Sequence, residues 1–116
     1  MFEHEKLIVY RKAVEFVALA EDIARRIPPG SGDTADQLMR AAISIRTNIA
    51  EGAGHFAKKQ KARYYGYAKA SATECADLLQ GLIDQQRPGR AQAPAGLALL
   101  NEIVAMLTTM IRRLQT

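Results

Sequence analysis

An all-α, antiparallel up-down-up-down four-helix bundle is the fold this sequence predicts, and three observations predict it. The 116 residues are 48% hydrophobic but only 6% aromatic, with no Trp, a composition that favours close-packed helices over sheet layers. Four stretches repeat apolar residues at intervals of three and four, the period of one helical face. Short breaks rich in glycine and proline separate them, and short connections make consecutive helices antiparallel neighbours. A chain of this length suits a single domain over residues 1–116, burying roughly two thirds of its unfolded surface without metal or disulfide. Cys75 is the one cysteine, so no internal bridge forms, and Glu3, Glu5 and Lys6 interrupt any N-terminal apolar run. A cytoplasmic protein with no membrane partner is expected. The net charge of +4, from 16 Lys and Arg against 12 Asp and Glu, permits acidic partners without demanding them.

The first helix runs from about Lys6 to Arg26. Val9, Ala13, Phe16, Ala20, Ile23 and Ile27 form one seam, and Tyr10, Val14, Val17 and Ala24 a second beside it. Two seams make an apolar arc wider than one neighbour covers, so this helix should touch several others, within the bundle or across a subunit boundary. Pro28, Pro29 and Gly30 end it. Thr34 and Gln37 have capping-box spacing and start the second helix, whose apolar face is Leu38, Ala42, Ile45 and Ile49. Gly52 and Gly54 are read as its stop, since they lack the strand and the third glycine of a dinucleotide fingerprint.

The third helix spans about Ala57 to Gln86 on a face of Tyr65, Ala68, Ala72, Cys75, Leu79 and Leu82, about 45 Å long at ~1.5 Å per residue. Gly66 and Gly81 weaken it unless a close backbone approach uses the missing side chain. A loop of Arg87, Pro88, Gly89 and the following Ala, Gln and Pro residues leads to a fourth helix marked by Leu100, Ile103, Leu107, Met110 and Leu114. Met106 and Met110 in its apolar stripe read as core rather than as a partner groove.

The stretch Gln37 to Gly54 carries a resemblance as well as a helix. Gln37, Arg40, Ala41, Ala42, Ser44, Ile45, Asn48, Ile49, Ala50, Glu51 and Gly52 match a pattern close to Q-hydrophobic-R-R-A-A-hydrophobic-S-I-P-S-N-I-A-E-G. That run resembles the four-helix-bundle proteins named after intervening sequences of large-subunit (23S) ribosomal RNA. Leu7, Tyr10, Lys12 and Ala13 support it in the first helix, and Arg63, Ala68, Ser71 and Glu74 in the third, so it covers nearly the whole chain. Arg46 stands where the family often has proline, Met39 where it often has a second arginine, and Ala57 where a serine often caps the third helix. The resemblance implies a closed ring, commonly a homopentamer, without known catalytic activity. More distantly the chain resembles the accessory variability proteins of diversity-generating retroelements, whose pentameric barrels bind a reverse transcriptase and nucleic acid through basic surfaces.

Two constellations bear on function. Arg40, Ser44, Asn48 and Glu51 form a polar stripe on the second helix that faces Ser71 and Glu74 on the third if the turn centres near His55. The spacing reads as a buried network fixing helix register, with Arg40 paired to Glu74. A buried pair would make Arg40→Ala cost roughly 3 kcal/mol. The run from His55 to Lys69 holds Lys58, Lys59, Lys61, Arg63 and Lys69 with no acid, interleaved with Tyr64, Tyr65 and Tyr67. Such a face suits RNA, DNA or a nucleic-acid enzyme, and equally an ordinary solvated helix. His4 and His55 lack the Glu-x-x-His pairs of a di-iron bundle, Cys75 lies on an apolar seam, and no nucleophile, base and oxyanion donor converge. The expectation is a non-enzymatic, cofactor-free homo-oligomeric binding or scaffold protein. Nucleic-acid or reverse-transcriptase binding through the basic face is the alternative.

Overall fold

The computed structural model describes residues 2–30 and 32–116, apart from the side chains of residues 2 and 3. Four α-helices follow one another, α1 (Phe2–Arg26), α2 (Thr34–Gly54), α3 (Lys58–Asp84) and α4 (Ala93–Leu114). Each packs on the next, and α4 closes on α1, while the diagonal pairs stay apart. The result is an up-down-up-down bundle of 45 × 21 × 19 Å. One pole holds the α1–α2 and α3–α4 loops. At the other meet the α2–α3 turn, the start of α1 and the end of α4.

The main seams read from spacing are the core, while the second seam of α1 is left partly in solvent. Val9, Ala13, Phe16, Ala20, Ile23 and Ile27 of α1 and its following turn are buried, as are Tyr65, Ala68, Ala72, Cys75, Leu79 and Leu82 of α3. Leu38, Ala42, Ile45 and Ile49 of α2 join Leu100, Ile103, Leu107 and Met110 of α4 in the same cluster. By length and a mean hydropathy of 1.5, α4 could cross a membrane; in the bundle its leucine and isoleucine seam is spent on α1 and α3.

The start of α4, and the way both ends of α2 are made, differ from the spacing, although α2 does begin at Thr34 and end at Gly54. The helix α4 starts at Ala93, well before its regular apolar repeat, because Pro94 sits in the first turn, where a missing amide donor removes no helical hydrogen bond. The capping box does not form. Asp33 is the residue before α2, no side chain caps the helix, and Thr34, already inside it, accepts a 3.0 Å hydrogen bond from Arg87 Nη1. That bond ties the start of α2 to the α3–α4 loop.

Gly52 and Gly54 are not a left-handed stop either. Positive φ occurs at Gly30, Gly32 and Gly89, whereas α2 remains helical through Gly54 and ends on an extended His55. Gly52 is required for another reason: a Cβ there would lie 2.6 Å from Tyr65 Cε1. A second close approach joins α4 to its neighbours, since a Cβ on Gly96 would lie 2.7 Å from Leu79 Cδ1 and 3.5 Å from Phe16 Cε1. Gly66 and Gly81 meet nothing within 4 Å, so they weaken α3 without serving a contact.

Gly52→Ala should therefore destabilise the fold by roughly 2 kcal/mol through overpacking, and Gly66→Ala should stabilise it by about 1 kcal/mol. Urea denaturation of both variants checks this. Similar small gains for both would show Gly52 to be an ordinary helical glycine.

Candidate functional site

The polar stripe between α2 and α3 is smaller than its spacing implies. Ser71 Oγ donates to Ser44 Oγ at 2.8 Å, and Asn48 Nδ2 donates to Ser44 O at 2.9 Å and Ser44 Oγ at 3.0 Å. These three residues are half-buried and link the two helices. The other three members of the expected network stand outside it. Arg40 pairs with Asp36 of its own helix at 2.9 Å, with side chains 80% and 64% exposed. Glu51 lies 3.8 Å from His55, and Glu74 is exposed. No polar or charged residue is fully buried among those described. An Arg40–Glu74 pair inside the bundle would have to shed water from both charges, whereas Asp36 offers a partner one turn away in solvent. The large loss expected of Arg40→Ala thus has no structural basis.

The basic run divides into three roles. Lys58 and Lys59 are exposed in the first turn of α3 and form no ion pair among the described residues. Lys61 turns back, donating to the carbonyls of Gly52 and Ala53 at 3.3 and 3.2 Å. Its charge therefore caps the negative end of the α2 dipole. Arg63 donates from Nε to Tyr67 Oη at 2.7 Å, its guanidinium 5.8 Å from the Tyr67 ring centre. Lys69 is half-buried farther along.

The tyrosines separate in the same way. Tyr65 enters the core. Tyr64 stacks on His55 at 4.9 Å with planes 9° apart and meets the 45% exposed Tyr67 edge-on at 5.6 Å. Lys58, Lys59 and Arg63 rim a groove of about 620 Å³ between α3 and α4, over Ala62, Gly66 and Ile111.

One feature escaped the spacing argument and another was only partly read from it. A cavity of about 450 Å³ opens at the pole where the chain termini lie, gathering Lys6, Lys58, Lys61 and Arg113 around Tyr65 and Met110. Its cations come from three helices, and only the alternation of helix direction brings them together. On α1, Leu7, Tyr10 and Val14 form a stripe of large apolar side chains in solvent, 47%, 37% and 43% exposed. Two of them belong to the second seam of that helix, which was the available signal.

No group of three or more His, Cys, Asp or Glu stands together among the described residues. Cys75 is buried, and desolvation, with a smaller contribution from the charge on Glu74, pushes its thiol up to about 12. The reactive thiolate is suppressed at neutral pH.

The model of the 23S rRNA-intervening sequence protein family matches residues 5–109. The chain belongs to that family. Among curated proteins, none matches it. Among solved structures, the fold is similar to a protein of unknown function from the S23 ribosomal protein family of Bacteroides thetaiotaomicron VPI-5482. The TM-score is 0.84 at 21% identity, over 93% of this chain and 98% of the other. Nothing in the intervening sequence family or this structural neighbour indicates catalysis.

One departure of this family member from its relatives' pattern has a direct structural cost. Ala57 occupies the cap position of α3 with an extended backbone (φ −71°, ψ 131°) and no side chain caps the helix. Ala57→Ser should stabilise the protein by about 1 kcal/mol by supplying that hydrogen bond, read as a shift in thermal and urea midpoints. An unchanged midpoint would mean that water already satisfies those amides.

Proposed function

We propose that this intervening sequence family member is a non-enzymatic scaffold whose copies close into a ring, five of them by the family resemblance. The observation that carries the proposal is the α1 stripe of Leu7, Tyr10 and Val14. Large apolar side chains in a continuous exposed row mark an association surface, and the core of one bundle leaves this row uncovered. A second copy is its occupant, because a ring interface uses two different patches of one chain and repeats them until it closes. Sedimentation of the full chain tests it: the wild type should run as one oligomer, and Val14→Glu and Tyr10→Glu as monomers with unchanged helical circular dichroism. A monomeric wild type would overturn the proposal.

A second reading is supported by Lys58 and Lys59. Positive charge in the first turn of a helix opposes its dipole, and among the described residues these two have no ion-pair partner to compensate it. With Arg63 on the rim of the same groove and Tyr67 one turn farther on, they offer a surface for RNA, DNA or a nucleic-acid enzyme such as a reverse transcriptase, while Lys69 lies half-buried apart from them. Assembly would repeat the face in every copy and strengthen weak contacts. Lys58→Glu combined with Lys59→Glu should weaken single-strand binding at least about ten-fold and flatten its salt dependence. Lys61 stays untouched in this test, since it caps α2. Binding that is absent or insensitive to salt would exclude this reading.

A further inference from the structure

We infer that the exposed row of Leu7, Tyr10 and Val14 on one copy seats in the groove between α3 and α4 of the next copy. The inference rests on the ring reading and supplies what that reading leaves open, the second of the two patches that a ring repeats.

Row and groove cannot meet inside one bundle. Lys12 of α1 pairs with Glu102 of α4, and at about 100° per residue Tyr10 stands about 200° round the helix from Lys12. The row therefore faces away from α4. Helix α1 packs on α2 and α4 and not on α3, which leaves the groove on the far side of the molecule. The two nevertheless share one level. Glu5 pairs with Arg113, and Lys6 lines the cavity at the terminal pole with Lys61 and Tyr65, so Leu7 and Tyr10 stand as high along the bundle as Ile111 and Gly66. Because α1 and α3 run in the same direction, rotating a copy about an axis along the bundle brings its row beside the groove of its neighbour. Closure requires equal height, since patches at different heights would climb into an open filament.

Shape and charge agree with this pairing. The groove, about 620 Å³ in volume, is floored by Ala62, Gly66 and Ile111, and the row consists of larger side chains. A stable interface buries roughly 800 Å² on each partner, more than three half-exposed side chains supply against a flat surface, so a concave counterpart suits them. Within its own bundle Gly66 serves no contact, because a Cβ there would meet nothing within 4 Å; a neighbour's side chain lying over it uses that opening. Lys58, Lys59 and Arg63 stand on the rim, and among the described residues no Asp or Glu lines the groove. The row carries no charge to oppose them, and the ring of Tyr10 offers a face that a cation binds.

Sedimentation of the full chain tests the pairing. Gly66→Leu fills the groove while its own bundle has room for the side chain. It should keep its helical circular dichroism and run at the mass of one chain, 12.7 kDa. Gly81→Leu, at the other open glycine of α3 but outside the groove, should assemble like the wild type. Tyr10→Lys, which sets a cation against Lys59 and Arg63, should be monomeric. Mixed in equal amounts, Tyr10→Lys and Gly66→Leu should form a heterodimer and nothing larger, because the first keeps its groove, the second keeps its row, and one such contact forms between them. A mixture that stays monomeric, or a Gly66→Leu protein that assembles normally, overturns the inference and leaves the ring reading standing on another patch. A monomeric wild type overturns both.

Discussion

Tyr65 seats its ring where Gly52 has no side chain, and the arrangement of one whole pole of the bundle depends on that contact. Because α3 can lie this close to the end of α2, Lys61 comes within reach of the Gly52 and Ala53 carbonyls and completes α2 with a charge from its neighbour. The same proximity puts Tyr64 over His55 and turns Phe56 outward. A side chain at position 52 would force the two helices apart, and the cap, the stack and the cavity wall would be lost together. Gly96 has the corresponding part farther along the same buried face of α3, where Leu79 and, from α1, Phe16 fill the space above it.

Legibility in the sequence followed the physics of periodicity. The main seam of each helix, counted in threes and fours, is buried, because a helix of small and aliphatic residues hides one apolar stripe, whereas the second seam of α1 stays partly in solvent. Boundaries were less readable: Pro94 looks like a breaker and is a helix-starting residue, and Thr34 looks like a cap although it stands one position inside the helix. The polar stripe misled for a related reason. Spacing places Arg40, Glu51 and Glu74 near an interface but carries no information about how far a long side chain leans toward water, and charged groups take the solvated partner when one is available. Only the short members, Ser44, Asn48 and Ser71, are confined enough to meet between the helices.

The basic run illustrates the complementary limit. Five cations in one stretch of sequence look like one surface, yet the helix distributes them to a cap, an aromatic contact, two open positions and, at Lys69, a half-buried one. The gathering of cations that does occur involves Lys6 and Arg113, which lie at opposite ends of the chain. Antiparallel topology joins them, and no local pattern can report that.

The two poles of the bundle are held unequally. At the loop pole Arg87 bonds to Thr34 and Gly89 packs near Ile23 and Leu82, so both connections are fastened to the helices beneath them. At the terminal pole the α2–α3 turn, the start of α1 and the end of α4 surround an open space. Local opening in proteins begins where few buried contacts resist it, which makes the loop pole the anchor and the terminal pole the end that breathes. Helix ends around the cavity can splay and reclose while the aliphatic seams below remain packed, giving the protein a pliable rim on a rigid stem.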